Sequence, residues 1–288
     1  MSLSVRSRLA LLPLLALSAT PALALEPFDD TSRLVAIGGS LTEIVYALGK
    51  EDLLIARDST AYYPPEALEL PDVGYMRALS PEGVLSVDPS AILVIEGAGP
   101  VESLDVLLEA GVPIQMVPEG FSHDSVTEKI RAVGEAIEAE AEAEALIAEI
   151  DAGLSAAEAL TAGIEQSKRV LFILSMQGNS IQASGTGTAA HGIIALAGAE
   201  NAITEYEGYR PLSDEAIIAT APDVILMMDR GGDHGASIET VLAHPAISQT
   251  PAGQSGAIVQ MDGGYLLNFG PRTAEAVTEL VHFIYPEL

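Results

Sequence analysis

The sequence contains no cysteine and no tryptophan, and only 13 of its 288 residues are lysine or arginine. Without cysteine there is no disulfide framework, so an exported form must rest on its own hydrophobic core. Against 41 aspartates and glutamates, the few bases leave a formal charge of −28. A surface of that sign repels nucleic acid and anionic membranes, keeps the chain soluble and suits a saline habitat. Scarcity also makes any basic residue beside a pocket informative. Long apolar runs are missing too. Beyond the first two dozen residues nothing approaches the ~18 consecutive apolar residues of a membrane span.

Enzyme signatures are equally scarce. Gly38, Gly39 and Ser40 do not make the Gly-x-Ser-x-Gly elbow of a hydrolase. The glycines at 185 and 187 lack dinucleotide-fingerprint spacing, and no Gly-Lys-Ser/Thr phosphate loop occurs. The five histidines are scattered, with no His-x-x-x-His pair. Asp229, Asp233 and His234 have metal-ligand chemistry, which keeps a secreted metal-dependent hydrolase as one reading. A solvated glycine-rich loop is the plainer one.

What is present starts at the N-terminus. Arg6 and Arg8 precede a short apolar run, and Ala22 and Ala24 are the small residues a signal peptidase reads. This is the layout of a secretory signal over 1–24, too short to span a bilayer. Its removal would start the mature chain at Leu25 and take the charge to about −30. No cysteine follows for a lipid anchor, so the expected location is free in a Gram-negative periplasm.

Downstream, the periodicity alternates between strand and helix. Apolar β-rich runs at 33–37, 53–56, 91–95 and 112–117 are separated by helical stretches at 41–48, 81–88 and 101–110. Ser40 reads as the cap of the first helix, and Ser80 followed by Pro81 as the start of another. From Ser125 to Ala162 the pattern is helical, dividing near 134–140, and no a/d heptad persists long enough for a coiled coil. Strands return at 170–174, 224–228 and 257–261, with helices at 188–196 and 272–284. Residues 81–94 (PEGVLSVDPSAILV) and 214–227 (DEAIIATAPDVILM) match in glutamate, proline and strand start. Such a repeat implies two related lobes. The expected fold is α/β: two Rossmann-like lobes with parallel sheets over 25–138 and 164–288, joined by one long helix over 139–163.

The informative loop is DSTAYYPPE (58–66). Pro64 disfavours the helical region at Tyr63, so the loop is stiff, and it lies at the carboxyl end of a strand, where doubly wound sheets bind ligands. Gly74, Tyr75, Met76 and Arg77 form a second aromatic and basic loop. Packing tyrosines would explain the composition alone.

With SLTEIVYALG (40–49), VGYMRALSPE (73–82), GTGTAA (185–190), LAGAEN (196–201) and FGPRT (269–273), the chain resembles the periplasmic haem-binding proteins of bacterial haem ABC importers. These are class III periplasmic binding proteins, a scaffold shared with cobalamin and ferric-siderophore binders. The resemblance implies ferric haem as transported ligand, a permease dimer in the inner membrane as partner, a monomer, and no catalysis. It places the axial iron ligand at Tyr63, with Tyr62 as the alternative one residue away. A phenolate is a hard anionic oxygen donor suited to Fe(III). Arg230 matches a second-lobe arginine facing the tyrosine. Arg77 and Tyr75 would meet the porphyrin edge, with His191 and Met176 as further pocket candidates. The resemblance also assigns Glu82 and Glu215 to docking on the permease, although both also suit a helix N-terminus. The competing ligands on this scaffold are cobalamin and ferric siderophores. Pockets for the latter favour several arginines and a tryptophan; this chain has no tryptophan and few arginines.

Overall fold

A computed structural model describes residues 25–229 and 236–288. The signal segment lies outside the described residues, as do Arg230, Asp233 and His234.

The first sheet is wholly parallel, in the order β2-β1-β3-β4. Its strands are β1 (Leu34–Ile37), β2 (Leu54–Arg57), β3 (Ala91–Ile95) and β4 (Ile114–Val117). Every residue of β1 and β3 is buried, as the unbroken apolar runs require of strands covered on both faces. Helices α1 (Gly39–Ala47), α2 (Pro81–Leu85), α3 (Val101–Glu109) and α4 (His123–Ala136) alternate with them. Ser40 does not cap α1. The cap is Gly38, at φ 124°, which turns the chain straight out of β1 and leaves Ser40 buried inside the first turn.

Helix α5 (Glu140–Thr161) has 22 residues and is therefore about 33 Å long. It packs on α4 at one side and on the last helix, α11 (Thr273–Ile284), at the other.

The second sheet repeats the first and adds to it. Its strands are β5 (Arg169–Gln177), β6 (Ser180–Ser184), β7 (Glu200–Asn201), β8 (Tyr209–Leu212), β9 (Val224–Asp229) and β10 (Ile258–Asp262). Strands β7, β5, β9 and β10 pair in parallel in the manner of β2, β1, β3 and β4. Onto this parallel module the chain grafts the antiparallel strands β6 and β8, so the second sheet is mixed. Gly178, at φ 58°, opens the two-residue turn between β5 and β6, the position a hairpin reserves for glycine. Short helices α6 (Ala189–Leu196), α7 (Asp214–Thr220), α8 (Ile238–Leu242), α9 (Pro251–Ser255) and α10 (Gly263–Leu267) complete the lobe.

The internal repeat extends to backbone detail. Ser80 and Ser213 each cap a helix, accepting from the amides of Gly83 and Ala216. Asp88 and Ala221 both hold positive φ, 52° and 41°, directly before Pro89 and Pro222. Two small rings then close the strand starts. Ser90 donates its amide to the Arg33 carbonyl and accepts the Arg33 amide on Oγ at 3.0 Å. Asp223 does the same with Arg169, using its carboxylate at 2.9 Å.

One apolar cluster runs through the molecule. It joins Leu34, Ile95 and Val133 of the first lobe to Ile147 and Leu154 of α5 and to Phe172, Phe269 and Val277 of the second. A second cluster, around Leu171, Ile173, Ile225 and Ile247, fills the far face of the second sheet.

Candidate ligand-binding cleft

The carboxyl ends of β1, β3, β5 and β9 converge on a cleft of about 770 Å³ between the two sheets. Cofactor and ligand sites span roughly 300–1,000 Å³, and ligands of parallel α/β sheets collect at such strand ends.

The loop after β2 forms one wall, and buried Asp58 anchors it. Its carboxylate accepts from the Gly38 amide at 3.0 Å and from the amide and hydroxyl of Thr60 at 3.1 and 2.9 Å. Burial nevertheless pushes the Asp58 carboxyl above the ordinary range. Thr60 Oγ1 accepts in turn from the Gly39 amide at 3.0 Å, fastening the loop to the β1–α1 turn. Tyr62 and Tyr63 follow this anchor.

The two tyrosines have different surroundings. Tyr62 lines the cleft. Its hydroxyl donates to Asp262 Oδ1 at 3.1 Å and accepts from the Gly264 amide at 2.5 Å, bridging to the second lobe. Burial, then the Asp262 charge, push its pKa up to about 12. Tyr63 does not line the cleft and is 40% exposed. The Arg272 guanidinium lies over its ring, 3.5 Å from the centroid, and 5.1 Å from the ring of Tyr265. Nε and Nη2 of Arg272 donate to the two carboxylate oxygens of buried Glu43, at 2.9 and 3.0 Å. Burial opposes the Arg272 charge, and Glu43 more than offsets it, so the guanidinium pKa lies above its ordinary value.

Tyr75 and Arg77 join Tyr62 on the same wall, with Arg77 Nη1 3.5 Å from the Tyr75 hydroxyl. Glu119 and Phe121 also line the cleft. Lys129, 1% exposed, donates to Glu119 at 2.6 Å and to the carbonyls of Asn268 and Phe269 at 3.4 and 3.3 Å. Burial lowers the Lys129 pKa against the opposing pull of Glu119. Phe121 meets Phe269 edge to face, with centroids 5.3 Å apart.

The opposite wall is mostly apolar: Leu174, Ala189, Tyr209 and Met228. A register shift in β5 between Ile173 and Ser175 determines which side chains reach it. Leu174 takes the cleft position, while Met176 packs on the second apolar cluster. His191 also sits off the cleft lining. It lies in the first turn of α6, with Nδ1 3.5 Å from the Asn201 amide. Glu82 and Glu215 are exposed, each in the first turn of its helix. Hydrogen bonds lower both carboxyl pKa values: Ser80 first for Glu82, its own backbone amide first for Glu215.

Tyr62, Tyr75 and Arg77 are thus brought together, and Tyr63 is set beside them on a cation. Asp262 and Tyr265 carry no sequence signal that marks them, whereas Glu43 lies in the SLTEIVYALG stretch and Lys129 is one of the 13 bases. Arg272 had one: it is one of only 13 bases and sits in the FGPRT stretch.

A family model described as periplasmic binding protein matches residues 34–265. Solved structures give close likenesses. Periplasmic haem-binding protein RhuT from Roseiflexus sp. RS-1, in apo form, is 38% identical, with 88% of this chain and 98% of that one covered at a TM-score of 0.84. Periplasmic haem-binding protein BhuT, in complex with two haems, is 37% identical with the same coverage and TM-score. YvrC, an uncharacterised ABC transporter substrate-binding lipoprotein of Bacillus subtilis, is 28% identical over 262 residues, 90% of this chain and 81% of that one.

Proposed function

The chain belongs to the periplasmic binding protein family, and from that premise we propose that it captures ferric haem between its lobes and delivers it to an ABC importer. No bond is made or broken in the ligand. The likeness to haem-binding proteins across 88% of the chain supports the ligand, and the tyrosine loop at the cleft is the observation that carries the chemistry.

Tyr63 is the iron ligand in this reading. Its hydroxyl makes no hydrogen bond among the described residues, whereas that of Tyr62 is engaged twice by the second lobe. A phenolate bound to Fe(III) is an anionic donor, and a fixed cation against its ring complements that charge. Arg272 supplies that cation. Phe121, Leu174 and Met228 offer apolar cover for the macrocycle, and exposed Arg77 beside Tyr75 suits a propionate at the rim. The protein works as a monomer in the periplasm, exported by its N-terminal signal. Glu82 and Glu215, related by the internal repeat, dock on a permease dimer.

Titrating the purified apoprotein with ferric haem tests this reading. Saturable uptake with a tyrosinate-type high-spin spectrum is expected, and Tyr63→Phe should weaken binding by more than about 100-fold, beyond the 10–100-fold typical of outer-shell changes. A large effect from Tyr62→Phe instead moves the ligand by one residue. No saturable uptake sinks the haem assignment.

A further inference from the structure

Arg272 touches both lobes, and haem capture as described uses only its charge. A guanidinium held edge-on by a bidentate carboxylate is fixed in plane and presents its faces to neighbouring rings. Here the Tyr63 ring lies 3.5 Å and the Tyr265 ring 5.1 Å from the guanidinium, while Glu43 on α1 holds the edge. Glu43 is 4% exposed, so the anchoring carboxylate is fixed by the first-lobe core. The stack therefore runs Glu43, Arg272, Tyr63, crossing from first lobe to second and back.

We infer that Arg272, aimed by Glu43, is the positioning residue for Tyr63: it fixes the phenol ring beside the cleft and sets a permanent positive charge on its face. The inference rests on Tyr63 being the haem ligand. At 40% exposure a tyrosine without this contact would sample several rotamers, and ordering it on binding would cost affinity. The guanidinium removes that cost beforehand. A simple clamp between lobes would need only the Glu43–Arg272 ion pair. Nothing in a clamp calls for an aromatic ring on the cation's face.

The double variant Glu43→Gln/Arg272→Met removes both charges together, so neither is left buried without its partner. It is compared with wild type and Tyr63→Phe by the visible spectrum of the ferric haem complex and by the rate of haem transfer to a haem-free acceptor protein. The double variant should still take up haem, with a shifted phenolate-to-iron band and dissociation about fivefold faster, the scale of one half-exposed cation–π contact. Arg272→Lys keeps the charge without the plane and should fall between the two. A wild-type band and rate in the double variant overturn the inference while leaving Tyr63 as ligand. An unchanged spectrum in Tyr63→Phe instead overturns the ligand assignment itself. Should the double variant not fold, Arg272→Lys carries the test, and wild-type behaviour there is the overturning result.

Discussion

The Tyr62 hydroxyl sits 2.5 Å from the position a Cβ would occupy at Gly264. This contact brings the tyrosine loop of one lobe against the first turn of α10 in the other, and only glycine permits it. Gly264→Ala should therefore destabilise the fold by ~1–3 kcal/mol through overpacking, read from urea unfolding of the apoprotein. An unaltered midpoint would mean that the loop yields at no cost. Residue identity alone did not separate Tyr62 from Tyr63. Both precede prolines in one polar loop, and what distinguishes them lies some 200 positions away at Asp262, Gly264 and Arg272. Glu43 and Arg272 are 229 positions apart, a distance over which periodicity and capping are silent.

At the scale of elements, local rules reached much further. Fully buried strands such as β3 announce themselves by unbroken apolar runs, and the break between α4 and α5 falls where the helical pattern weakened. The hairpin β5–β6 and edge strand β8 were not legible. Strand β8 contains Pro211, which a sheet tolerates only at its rim, and the shift in β5 breaks the alternation that would have aimed Met176. Structure also revealed a staple between α4 and α5. His123 reaches Asp151 at 2.9 Å and Glu158 at 3.3 Å. Burial pulls the His123 pKa down, but the two carboxylates outweigh it and the net shift is upward. Its stabilising contribution is complete below about pH 6.5 and disappears as pH rises through the raised folded value. Melting temperature should thus fall across that window more in wild type than in His123→Gln. Parallel curves for the two proteins would remove the staple from the account.

Across the whole molecule, the repeat at a spacing of 133 residues places Glu82 and Glu215 at equivalent helix starts. A dimeric permease with a two-fold axis would meet one glutamate per lobe. Glu82→Lys and Glu215→Lys should each reduce haem uptake in reconstituted vesicles while leaving haem binding in solution intact. Loss of solution binding would place these residues in the fold, and undiminished uptake would exclude them from docking. The repeat was legible in sequence because proline and the residue before it impose backbone geometry directly. The placement of the lobes against each other was not, since it rests on contacts such as Lys129 with the Asn268 and Phe269 carbonyls.

The apolar cluster shared by both lobes and α5 has one more consequence. Spreading the lobes widely would expose part of that shared core to water, so thermal fluctuation alone favours narrow breathing over wide opening. Ligand can then leave readily only where something else does the work of separation. A partner that gripped the lobe ends and bound the spread form more tightly would supply that work, and cargo would be released at the membrane rather than in transit.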